Sequence, residues 1–188
     1  MNKLHFICGH NQVNRGATGR YQDKEISEWQ YSRTLMDLLN TSYRFTNASH
    51  VTDSLNRIDL NSSVALEFHL NSFETNDVEG YELLVMVNDK ESLKKAQILL
   101  DLMKIYFPER RNRGIKLLSS NDRGYKNLLH LKKYYRHAFI SELFFINNNS
   151  FEKHGLPRSV NLSIQEKLSR HLIGLLTRFI IIMRLMQI

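Results

Sequence analysis

Short apolar runs alternate along the chain with segments whose apolar positions recur at helical spacing. LHFIC (4–8) predicts a strand, and GHNQVNRGATGRYQDK after it reads as a polar, glycine-bearing loop. EISEWQYSRTLMDLLN then spaces Ile26, Trp29, Leu35, Leu38 and Leu39 to one face, which predicts a helix from Glu25. YRFTNA predicts a strand, SLNRIDLNSS a short helix and turn, and VALEFHL (64–70) a buried strand. GYELLVMV (80–87) predicts another strand with Gly80 at its start, and ESLKKAQILLDLMKIYF (91–107) an amphipathic helix stopped by Pro108. RGIKLL, NLLHLKK and HAFISELFF predict further short strands, and SIQEKLSRHLIGLLTRFIII a long terminal helix over about 162–186. Strands alternating with helices over 188 residues predict a single α/β domain. Its sheet should be mixed, mostly parallel and twisted, flanked by helices, with any active site at strand ends and in the loops after them.

Against that frame, four polar residues stand where a charge needs a partner. His10 lies in the loop leaving the first strand, and Glu25 at the start of the first helix. His69 ends the VALEFHL strand, and Glu142 is embedded in the apolar run AFISELFFI. Strand alternation puts Ala65, Glu67 and His69 on one face, with Val64, Leu66 and Phe68 on the other. Two histidines and a carboxylate are a recurring catalytic zinc set. Three protein ligands leave a position for water, and a separate carboxylate can move its proton. No HExxH helix signature is present, so the residue types alone leave the site open.

Charge and cysteine content narrow the function classes. A net charge of +7 suggests an anionic partner such as nucleic acid, a membrane surface or a cell-wall polymer. Lys and Arg are spread along the chain without a recognition helix or a nucleic-acid motif, so no nucleic-acid partner is expected. A single cysteine, Cys8, excludes an intramolecular disulfide and reads as a small buried residue. MNKLHFICGH lacks the long apolar core of a secretory signal, and the C-terminal apolar stretch is broken by Arg178 and Arg184. Uninterrupted apolar segments there fall short of the roughly 20 residues that span a bilayer. Synthesis in the cytoplasm, a monomeric state and no separate wall-binding domain are expected.

GH at 9–10, KE at 24–25, EFHLNS at 67–72, NRGIKL at 112–117 and ISELFFINN at 140–148 occur in that order. In this combination the chain resembles the zinc-dependent N-acetylmuramoyl-L-alanine amidases of the amidase-3 type, most of all the catalytic domains of phage endolysins. The resemblance runs from Met1 to about Arg178. It implies a phosphorylase/hydrolase-like α/β fold and one Zn2+, held by His10, Glu25 and His69, with Glu142 as the catalytic acid/base. Glu28, one helical turn on, is a rival for Glu25. Asn71 matches the asparagine that shapes the site. Asn112, Arg113 and Gly114 match a loop near the peptide groove, with a structural role equally open. Glu67 either orients a ligand histidine or forms an ordinary ion pair. Asn11 and Gln12 replace a glycine and aspartate common after the first histidine, and Ile7-Cys8 replace an aspartate-proline. These departures bear on loop shape and substrate fit.

The implied activity is peptidoglycan hydrolysis at the amide between N-acetylmuramic acid and L-alanine. A bacteriolytic endolysin would reach the wall after holin-type release, and its basic surface would suit anionic wall polymers. The alternative is an inactive basic module that binds wall polymer or nucleic acid.

Overall fold

The computed structural model describes residues 3–21, 24–40, 63–74, 78–147, 174–179 and 181–182. Two apolar strands start the sheet. β1 (Lys3–Cys8) lies parallel to β4 (Ser63–Asn71), and β4 is parallel in turn to β7 (His137–Phe145). β5 (Tyr81–Met86) runs antiparallel to β7 and parallel to β6 (Asn112–Leu118), completing the order β1-β4-β7-β5-β6. Three of the four pairings are parallel, as expected for strands joined through helices.

The polar loop after β1 contains structure that its composition hid. β2 (Thr18–Tyr21) and β3 (Lys24–Ser27) form an antiparallel pair before α1 (Glu28–Asn40). The helix therefore starts at Glu28, three residues later than its apolar spacing predicts. Ser27 and Gln30 explain the boundary. Ser27 Oγ accepts from Gln30 N at 3.2 Å while Ser27 N donates to Gln30 Oε1 at 2.8 Å, a reciprocal cap.

α2 (Lys90–Tyr106) matches its expected span within a residue and is capped by Asp89, whose carboxylate accepts from Ser92 N at 2.9 Å. NLLHLKK is helical, not a strand: it forms most of α3 (Tyr125–Lys132). Leu128 and Leu131, three apart, both face the core, and a short apolar run cannot by itself separate the two periods. YRFTNA and all of SLNRIDLNSS except Ser63 lie outside the described residues, as does most of the terminal helix. Its described parts, 174–179 and 181–182, are helical. Among the described residues no helix is long and apolar enough to cross a membrane.

Pleat alternation divides the core. Val64, Leu66, Phe68 and Leu70 of β4 pack with Leu83, Phe139 and Leu143 against α2 (Ala96, Leu99, Met103) and against Leu175, Leu176 and Phe179. Ile7, Ala65, Leu84, Ala138 and Ile140 point the other way, under Leu128 and Leu131 of α3. On this second face polar residues take over along three strands: Glu67 and His69 after Ala65, Glu142 after Ile140, and Glu82 before Leu84. In register, Ala65 stands by Ala138, Glu67 by Ile140, and His69 by Glu142, which also neighbours Glu82 of β5. The row His69–Glu142–Glu82 thus crosses three adjacent strands where the apolar cover ends.

Candidate metal centre

Glu28 is the hub of the site. The helix start places its side chain over the end of β4, 4% exposed. Its Oε1 lies 2.9 Å from His69 Nδ1 and accepts from Leu70 N at 2.9 Å. Its Oε2 lies 3.1 Å from His10 Nε2 and accepts from Ala17 N at 3.0 Å. The two imidazole rings meet edge to face with centroids 4.9 Å apart. His10, Glu28 and His69 each offer a donor atom, all within 4.8 Å of one another.

Glu25 is not part of this group. It lies on β3 opposite Arg20, exposed, ahead of the Ser27 cap. Since the backbone is still extended at residue 25, Glu25 and Glu28 do not stack one turn apart on a common helical face. The structure brings Glu28, the rival named from sequence, rather than Glu25 together with His10 and His69, and the Ser27–Gln30 capping pair is the sequence signal that favours it.

The electrostatics suit a cation. Burial works to raise the Glu28 carboxyl, yet the bonds to His10 and His69 overcome it and hold the group well below the usual carboxylate range. Burial likewise works against charge on His69, but Glu67 beside it and the bond to Glu28 raise its pKa well above the ordinary histidine value. Glu67 Oε2 stands 3.4 Å from His69 Nε2, a contact that suits an ion pair as well as an orienting role. Three buried polar atoms make no hydrogen bond here: Glu67 Oε2, His69 Nε2 and Glu142 Oε2. Borderline-soft imidazole donors, a carboxylate and surplus buried negative charge together fit zinc.

Glu142 faces this group from β7. Burial pushes its carboxyl up to about 7; His69 acts against the rise, while the nearby Glu28 and Glu82 add to it. Among the other expected residues, Asn71 donates from Nδ2 to Glu82 Oε1 at 2.9 Å, and Arg113 Nε donates to Glu82 Oε2 at 2.9 Å. Asn112 Oδ1 is spent locally, accepting from Gly114 N at 2.8 Å. Glu82, 2% exposed, was absent from the sequence reading. The signal existed: a carboxylate inside the apolar run GYELLVM invites the reasoning that singled out Glu142. Cys8 is buried, and burial pushes its thiol up, in keeping with an inert core residue.

No protein-family model matches the chain, and no curated protein does. Solved structures do match. The CwlD amidase of Clostridioides difficile, solved with the GerS lipoprotein, is 17% identical with a TM-score of 0.64; the match covers 96% of this chain and 100% of that one. The catalytic domain of CwlV, an N-acetylmuramoyl-L-alanine amidase from Bacillus (Paenibacillus) polymyxa var. colistinus, is 16% identical with a TM-score of 0.63, over 95% and 98%. The chain has the amidase fold. A third match, the catalytic domain of the CD27L endolysin targeting Clostridia difficile, is 18% identical with a TM-score of 0.62, over 96% and 97%.

Two glycines make room for the site within this amidase fold. A Cβ on Gly9 would sit 2.1 Å from His69 Nε2, and one on Gly16 would sit 2.5 Å from Glu28 Oε2. Gly16 also has a φ of 72°, a conformation that side chains disfavour. Because His69 is pinned by Glu28, its ring cannot simply move aside. Gly9→Ala is expected to cost about 1–3 kcal/mol of stability and to remove metal binding. Thermal melting with and without added zinc checks both; an unchanged zinc-dependent rise in Tm would contradict the packing argument.

Proposed function

We propose that this protein is a zinc-dependent N-acetylmuramoyl-L-alanine amidase that cleaves the amide joining the lactyl group of N-acetylmuramic acid to L-alanine in peptidoglycan. One observation carries the reading: His10, Glu28 and His69 converge at one end of an amidase-fold sheet, with Glu142 beside His69 on the next strand. All four positions are filled, which disfavours an inactive polymer-binding module.

His10, Glu28 and His69 would hold the ion, and Glu67 would keep the His69 ring in place. Zinc bound there supplies a Lewis acid that polarises the scissile carbonyl and makes water available as a nucleophile near neutral pH. Glu142 handles the proton. Its Oε2 is buried and unbonded, which leaves it available both to accept a proton and to return it. It takes that proton from the attacking water and delivers it to the departing nitrogen, so that L-alanine leaves as an amine. Glu82 neighbours Glu142 across β5 and β7, and Asn71 and Arg113, which bond Glu82, would shape the substrate side.

An endolysin role in bacterial lysis is the biological setting we infer, supported by the likeness to the CD27L catalytic domain. The net charge of +7 suits approach to anionic wall polymers. Chelation tests the reading. Protein stripped of metal should lose clearing of purified cell walls by at least about 100-fold and regain it with one equivalent of zinc. Full clearing in a metal-free sample would overturn the zinc mechanism.

A further inference from the structure

The site end of the sheet is rich in carboxylates: Glu28, Glu67 and Glu82 are buried there and Glu142 is partly buried. A peptide that itself carries carboxylates needs cations to settle against such a surface. Two are supplied by β6. Arg113 Nε donates to Glu82 Oε2 and Lys116 Nζ to Glu82 Oε1, each at 2.9 Å, while Asn71 Nδ2 donates to Oε1 at 2.9 Å. Three donors on one buried carboxylate hold both cations in place, and two cations to one anion leave an excess of positive charge. The heads are not consumed by this. Only Nε of the Arg113 guanidinium bonds Glu82, the group stands 5.2 Å from the Phe145 ring centroid, and the Arg113 and Lys116 side chains remain 24% and 48% exposed. A guanidinium with its remaining edge free suits bidentate capture of a carboxylate.

Position favours the same ligand. Glu82 is the register neighbour of Glu142 across β5 and β7. β6 lies two strands from β7, about 10 Å at ordinary strand spacing, a span that extended peptide covers in about three residues. We propose that Arg113 and Lys116, pinned by the buried Glu82, form an anion subsite for a carboxylate within the first three residues of the stem peptide. This assignment rests on the amidase reading above.

The test uses the zinc-loaded full chain and two N-acetylmuramoyl tripeptide amides, carrying either D-glutamate with a free α-carboxylate or D-isoglutamine at the second position. Wild type is expected to favour the free carboxylate by at least about ten-fold in kcat/KM, chiefly through KM. Lys116→Ala and Arg113→Lys should each bring that ratio toward one. Lys116 is half exposed, so its removal spares the core, and a melting curve verifies the fold of both variants. Equal kinetics on the two substrates in wild type, or a ratio untouched by both substitutions, overturns the subsite. If neither tripeptide nor peptidoglycan is cleaved, the amidase reading itself fails. Calorimetric titration of the same two tripeptides then decides the subsite: a ten-fold preference in Kd upholds it, and equal Kd values overturn it.

Discussion

Glu142→Gln is expected to leave a folded, zinc-binding protein whose release of L-alanine amino termini falls roughly 10²–10⁴-fold, the usual size of a lost general acid/base. The same substitution should raise stability when metal is absent. Glu142 titrates at about 7 in the folded chain, above the ordinary glutamate value. The native state therefore binds more protons than the unfolded state between about pH 4.5 and 7. By linkage, stability falls as pH rises through that window and is unaffected by this group below it. At pH 8 the whole penalty of ionising a buried carboxyl is present, about 1–3 kcal/mol, and the neutral glutamine escapes it. Melting of metal-free wild type and Glu142→Gln at pH 5 and pH 8 reads this directly. The variant should gain at pH 8 and match wild type at pH 5. A variant that is inactive but destabilised at both pH values would mark Glu142 as a structural residue.

The second large effect separates two glutamates three residues apart. Glu28→Gln should weaken zinc binding by at least about 100-fold and abolish wall clearing, since a neutral amide replaces the anionic ligand that bridges both histidines. Glu25→Gln should remain within about two-fold of wild type, as expected for an exposed strand residue outside any buried network. Elemental analysis after dialysis, paired with a clearing assay, reports both. Loss of zinc in Glu25→Gln with retention in Glu28→Gln would reverse the assignment.

That reversal was the more natural expectation from sequence, and the reason is physical. Trp29 and Leu35 fit a helix whether it begins at residue 25 or 28, because apolar spacing reports a face and not a boundary. The boundary is set by a local hydrogen-bond exchange between Ser27 and Gln30, a much smaller signal. The buried strands were legible for the opposite reason. VALEFHL and HAFISELFF are long enough, and buried enough on both faces, that a polar residue inside either one stands out. Hence His69, Glu67 and Glu142 could be named directly. Glu82 sits in an equivalent setting on β5 and was passed over because its partners, Arg113 and Lys116, lie some thirty positions away along the chain. The helix at 125–132 was missed because eight residues with two core leucines carry too little pattern to choose a period.

The central claim is cleavage of one bond. Purified peptidoglycan digested by the zinc-loaded protein should be labelled at new amino groups and at new reducing ends, and the labelled products identified by mass spectrometry. L-alanine as the sole new amino terminus, with no new reducing sugar, is the predicted result. New reducing ends, or a new amino terminus on any other residue, would contradict an amidase built on His10, Glu28, His69 and Glu142.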